Sequence, residues 1–131
     1  MSDWGLPICI FFAMVFCHII DDFYLQGILA SMKQKRWWQP VPLYKHDYKI
    51  ALFLHGFSWS FMINLPIAIY ILCTRPMALI LLPISYVFNM IIHALVDNIK
   101  ANEYSISLVQ DQLCHIVQII VTWIVFFMIM L

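Results

Sequence analysis

Four long apolar stretches, each interrupted by a few polar residues gathered towards one end, set the pattern of this chain. They run over about residues 6–29, 50–73, 76–97 and 106–131. A helix needs about 20 apolar residues to cross a bilayer, and each stretch meets that length. The pattern predicts an all-α fold, a polytopic membrane protein whose single domain, 1–131, holds four antiparallel transmembrane helices in a bundle. Strands are excluded as the economical alternative because unpaired strand edges do not survive in lipid. Pro76 opens the third stretch, where a helix tolerates proline, and Thr74 and Arg75 leave room only for a tight hairpin before it.

Orientation follows from the basic residues. Lys33, Lys35, Arg36, Lys45 and Lys49 lie between the first and second stretches and Lys100 between the third and fourth, whereas only Arg75 falls on the opposite side. The positive-inside rule puts both basic loops in the cytoplasm and both termini outside. Trp37, Trp38, Tyr44 and Tyr48 suit a headgroup-level belt, broken by Pro40 and Pro42.

Composition sharpens the class. The chain of 131 residues is 64% hydrophobic and 11% charged, far from the roughly half and quarter of a soluble domain. Net charge is zero, so no global field recruits nucleic acid. Met1 to Gly5 carries Asp3 and no basic region, and the first apolar run leads to His18, Asp21 and Asp22, so no removable signal peptide is expected. Cys9, Cys17, Cys73 and Cys114 form no CxxC pair and are expected to be buried apolar thiols.

The polar interruptions carry the chemistry. With ~1.5 Å of rise per residue, His18, His55, His93 and His115 all fall ~18–27 Å from the outer ends of their helices, so four helices deliver a histidine to one cytoplasmic layer. His18 and Asp22, His93 and Asp97, and Asp111 and His115 are i, i+4 pairs, which share a helix face. His55 precedes Gly56, which lets a neighbouring helix approach closely. Imidazole and carboxylate suit zinc, manganese or iron, and this set exceeds what one tetrahedral ion uses, so a two-metal site fits the pattern. Asp21 is a surplus carboxylate whose facing is left open, because neighbours on a helix point about 100° apart. Each histidine taken alone reads first as an interfacial or hydrogen-bonded residue. Together they argue for chemistry, because each charged group costs at least ~2.5 kcal/mol within a span. His46 and Asp47 read as surface residues, Asn64, Asn89 and Thr122 as glue between helices, and the eight methionines as packing.

The segments HIIDDFYLQ from His18 to Gln26, the following Lys33 and Lys35, the lone His55, HALVDNIK from His93 to Lys100 and DQLCHIVQ from Asp111 to Gln118 resemble a family of small phage and bacterial membrane proteins. That family is known as a domain of unknown function, number 3307. Its usual opening, HxxxDFxLQ, is matched by His18, Asp22 and Phe23, with Asp21 as an extra acid. A weaker similarity, HxxxD on several membrane helices, links the chain to inner-membrane proteins described as metal-dependent hydrolases. It implies a metal at His18, Asp22, His55, His93, Asp97, Asp111 and His115, and a bacterial inner membrane, phage-encoded or not.

The expected function is hydrolysis of a lipid-linked phosphate or ester at the cytoplasmic leaflet. Asp22 or Asp111 serves as general base, and Lys100, Lys33 or Lys35 draws an anionic headgroup. No GxSxG elbow or phosphate loop is present. Three rivals share the same residues: a non-enzymatic phage effector acting on a host membrane protein or on superinfecting DNA entry with a structural metal, a polar plug without metal, and a proton or ion pathway. Substrate and oligomeric state are left open.

Overall fold

The computed structural model describes residues 4–39 and 41–130. Asp3, Pro40 and Leu131 lie outside the described residues. Five α-helices follow in order: α1 (Gly5–Ile20), the short α2 (Leu29–Met32), α3 (Tyr48–Thr74), α4 (Leu82–Asn98) and α5 (Leu108–Met130). Among the described residues there is no strand, so the all-α expectation holds. With their flanking turns, four segments are long and apolar enough to cross a membrane: Gly5–Leu25, Pro42–Thr74, Pro76–Glu103 and Leu108–Ile129.

These bounds differ from the hydropathy reading for identifiable reasons. The first span stops at Leu25 because Gly27 adopts a left-handed φ of +51°, a conformation glycine takes without steric cost. The rest of that apolar stretch becomes α2. The second span opens on a 3-10 turn at Pro42–Tyr44, with proline in the first turn where its missing N–H costs nothing. The third begins with a 3-10 segment, Pro76–Leu81, and runs past Asp97 through a π-turn to Glu103.

The helices alternate in direction and pack around one interior. α3 contacts α1 and α4, and α5 contacts the same two helices from the other side. At one end His18, His55, His93 and His115 meet; at the other, Trp123 donates to the Pro7 carbonyl at 2.9 Å and Tyr70 stacks edge-on against Phe126. The buried positions of α3 (Tyr48, Leu52, His55, Trp59, Ile63, Ile67 and Ile71) recur every three or four residues, which is one helical face. That face is polar at the histidine end and mainly aliphatic beyond Trp59, with Ser60 and Asn64 buried beside it.

Gly56 permits the close crossing of α3 and α4: a β-carbon there would lie 2.8 Å from the Met90 carbonyl oxygen. The outward faces carry exposed Phe12, Phe16, Phe57 and Phe88, as expected of surface bathed in acyl chains. Three of the cysteines share that surface. Cys9, Cys73 and Cys114 are exposed and Cys17 half-buried, which corrects the expectation of buried thiols; in a bilayer an apolar residue gains nothing by facing inwards. The aromatic belt divides similarly, with Trp37 and Tyr44 exposed but Tyr48 packed inside against Leu52, Ala94 and Trp38.

Candidate metal centre

The polar layer is built on the last turns of α1 and α4 and the first turns of α3 and α5. All three i, i+4 pairs lie side by side: His18 Nδ1 is 3.8 Å from Asp22, His93 Nε2 3.7 Å from Asp97, and His115 Nε2 3.4 Å from Asp111. His55 joins them from α3, its Nε2 3.1 Å from Asp22 Oδ1 and 3.4 Å from Asp97 Oδ2. Asp97 also reaches His115 through its other oxygen, at 3.6 Å. Histidine and carboxylate atoms converge within 4.8 Å of one another in two groups, Asp22, His55 and His93, and His93, Asp97 and His115. Donors ~2.1 Å from a tetrahedral ion stand ~3.4 Å apart, and the observed separations fall around that value.

His18 is set differently from the other three histidines. Its Nδ1 accepts from the Trp59 indole at 2.7 Å, and its Nε2 lies 3.1 Å from the Gln112 amide oxygen. Both nitrogens therefore have protein partners, and the indole bond assigns the proton to Nε2. Gln112 also donates to Asp22 Oδ2 at 3.0 Å and Asp111 Oδ2 at 3.2 Å. His18 thus orients the layer through Gln112.

By contrast, several buried atoms in the layer lack a hydrogen bond: both nitrogens of His93 and of His115, His55 Nδ1, Asp111 Oδ1 and Asp21 Oδ2. A buried polar atom without a partner costs about 1–3 kcal/mol, and here they cluster beside one another. Of these, His93 Nε2, His115 Nε2 and Asp111 Oδ1 face the neighbouring carboxylates and imidazoles, and a divalent cation there would take their lone pairs.

The last helical turn of α1 resolves where Asp21 points. Asp21–Leu25 forms a π-turn, and Asp21, three residues after His18, continues the buried stripe of Ile10, Met14 and His18. Asp21 is 1% exposed, accepts from Ser58 Oγ at 2.5 Å and places its second oxygen 3.7 Å from His55 Nδ1. A carboxylate behind one imidazole nitrogen, with ligand atoms before the other, is the arrangement that fixes metal-bound histidines.

Charge is concentrated as well. Lys33 Nζ contacts Asp97 Oδ2 at 2.5 Å and Lys100 Nζ contacts Asp111 Oδ2 at 2.6 Å. Counted formally, with the histidines neutral, the carboxylates Asp21, Asp22, Asp97 and Asp111 against these two lysines leave two negative charges in a buried layer. Lys33 is held in place through its carbonyl, which accepts from Asn102 at 3.0 Å. Lys35 lies instead over the Tyr48 ring, 5.2 Å away.

A cavity of about 330 Å³ opens onto the layer, lined by Asp22, Asp97, Gln112, Lys33, Arg36 and Lys100 among others. Beneath the layer, Trp59 stacks on His93 at 4.3 Å and closes it off from the aliphatic core. His46 lies outside all of this, exposed on the loop, and Asp47 is half-buried at the start of α3.

Sequence reasoning did not single out Trp59, Ser58 or Gln112's bridging role. Only Gln112, adjoining Asp111, carried a signal. Compared with family models, curated proteins and solved structures, the chain matches none of them.

Proposed function

We propose that this chain is a metal-dependent membrane hydrolase of the bacterial inner membrane, with both termini in the periplasm and the polar layer open to the cytoplasmic leaflet. A phage or bacterial setting is part of this proposal. The observation that carries the reading is the cluster of unpartnered, buried histidine and aspartate atoms beside two uncompensated negative charges. One divalent cation cancels that charge, with zinc the first choice and manganese or iron also suited. Asp22, His55 and His93 would hold it, with Asp97 beside them. Such a cation, when bound, supplies Lewis acidity and an activated water.

The chain's own groups do the rest. Asp22 lines the cavity wall and is the carboxylate best placed to accept a proton from a substrate-side water. Asp111 lies deeper, its Oδ2 tied to Lys100, so it holds the layer together in place of acting as base. Lys100 and Arg36 line the same cavity and give an anionic lipid headgroup a favourable approach. Below Trp59 the core combines Ile63, Ile67, Ile71 and Ile119 with the buried amides Asn64, Asn89 and Gln118, which bond to one another and to neighbouring hydroxyls and carry no titratable group.

The test is turnover by the metal-loaded, detergent-purified protein. Short-chain phosphatidic acid, read by released phosphate, and a short-chain phosphatidylcholine, read by released fatty acid, sample the two bond types. Metal-dependent release that falls at least 100-fold in Asp22→Asn is expected. Metal binding without turnover of either would favour the non-enzymatic effector, with the metal as a staple.

A further inference from the structure

We infer that the layer is a binuclear centre bridged by Asp97, and that the substrate it takes is a phosphate dianion and not a neutral ester. This inference rests on the metal reading above and extends it. The two convergent groups share His93, and one imidazole nitrogen cannot ligate two ions. Asp97 supplies the division. Its Oδ2 faces His55 and His93, at 3.4 and 3.7 Å, whereas its Oδ1 faces His115 at 3.6 Å. A carboxylate with one oxygen directed to each of two donor sets is how paired ions, typically ~3.5–4 Å apart, are held.

The first ion is assigned to Asp22, His55 and His93, with Asp97 Oδ2, which also accepts from Lys33, beside them. The second falls to His115 Nε2 and Asp97 Oδ1, with Asp111 Oδ1 3.4 Å from the same imidazole nitrogen. The second set carries its own indication of a ligand. His115 and Asp111 are fully buried, and His115 Nε2 and Asp111 Oδ1 have no hydrogen-bond partner, although Asp111 Oδ2 is occupied by Lys100. A carboxylate that gives one oxygen to a lysine and leaves the other bare beside a bare imidazole nitrogen is poised for a cation.

Charge then selects the substrate. Counted formally, with the four carboxylates ionised and the histidines neutral, the layer carries two net negative charges; one divalent ion brings it to zero, and two bring it to two positive charges. In a buried site that excess demands an anion. A phosphate monoester supplies two negative charges, whereas a carboxylic ester supplies none. The cavity above, with Lys33, Arg36 and Lys100 in its wall, admits such a group.

Manganese titration of the metal-free protein in detergent, followed by electron paramagnetic resonance, tests this with and without inorganic phosphate. Two equivalents should bind, with a spin-coupled spectrum in place of the six-line signal of an isolated ion. Phosphate should tighten the second equivalent at least tenfold. His115→Gln and Asp111→Asn should each retain one equivalent with the isolated signal. A single equivalent in the wild type, unaffected by phosphate, would overturn the binuclear assignment while leaving the metal reading intact; no bound manganese or zinc would overturn both. Two equivalents indifferent to phosphate would overturn the substrate assignment.

Discussion

Two polar layers lie buried between the same helices, and they differ in how completely they are satisfied. The deeper one joins α3, α4 and α5: Ser85 Oγ donates to Asn64 Oδ1 at 2.7 Å, and Gln118 and Thr122 donate to Asn89 Oδ1 at 2.8 and 3.1 Å. Asn64 and Asn89 also bond back to the Ser60 and Ser85 carbonyls. Only Gln118 Oε1 is left without a partner there. Among the described residues, the histidine layer holds seven of the eight unpartnered buried atoms, together with all of the buried charge. Neutral amides and hydroxyls that satisfy one another bind helices together; charged groups left short of partners mark a site kept open for something else.

The contrast can be broken most severely at Trp59, which is fully buried between the two layers. Trp59→Ala should cost about 3–5 kcal/mol, read as a fall in the detergent unfolding midpoint, and should loosen His18 and His93 together. Next comes Asp21→Asn, which preserves shape but removes the charge behind His55. It should weaken metal affinity about 10–100-fold by isothermal titration with zinc, with little change in unfolding. An unchanged affinity would remove Asp21 from the orienting role.

Gly56→Ala should destabilise by about 1–3 kcal/mol, because its added methyl meets the Met90 carbonyl at 2.8 Å. Thermal unfolding of the purified variant checks this. The smallest effect is expected in the deeper layer. Asn89→Leu should cost about 0.6–1.7 kcal/mol, the range for bonds between membrane helices, while leaving metal stoichiometry unchanged. Loss of metal in that variant would erase the distinction between the two layers.

The histidine layer was legible in the sequence because depth along a helix is simple arithmetic. Four histidines at matching distances from the outer helix ends had to meet, and the i, i+4 spacing had to put aspartates beside three of them. The glue role of Asn64, Asn89 and Thr122 was equally readable, since amides and hydroxyls in lipid have few other uses. What was less legible lay in contacts that spacing alone does not name. Asp21 continues the buried stripe of Ile10, Met14 and His18, whereas the i, i+4 pairing with His18 points to Asp22. Lys33 reaches Asp97 across 64 positions of sequence, from a loop whose path hydropathy does not describe. Trp59 looks like any core aromatic until its indole is seen bonded to His18. The cysteines misled because apolar character tells inside from outside in water but not in a membrane.

The central claim is that the histidine layer holds metal, and elemental mass spectrometry on chelator-free, detergent-purified protein tests it most directly. His93→Ala is the comparison, because His93 belongs to both convergent groups. The account predicts at least one equivalent of zinc, manganese or iron in the wild type and a clear loss in the variant. A folded wild type without metal, or a variant that retains the full content, would contradict it.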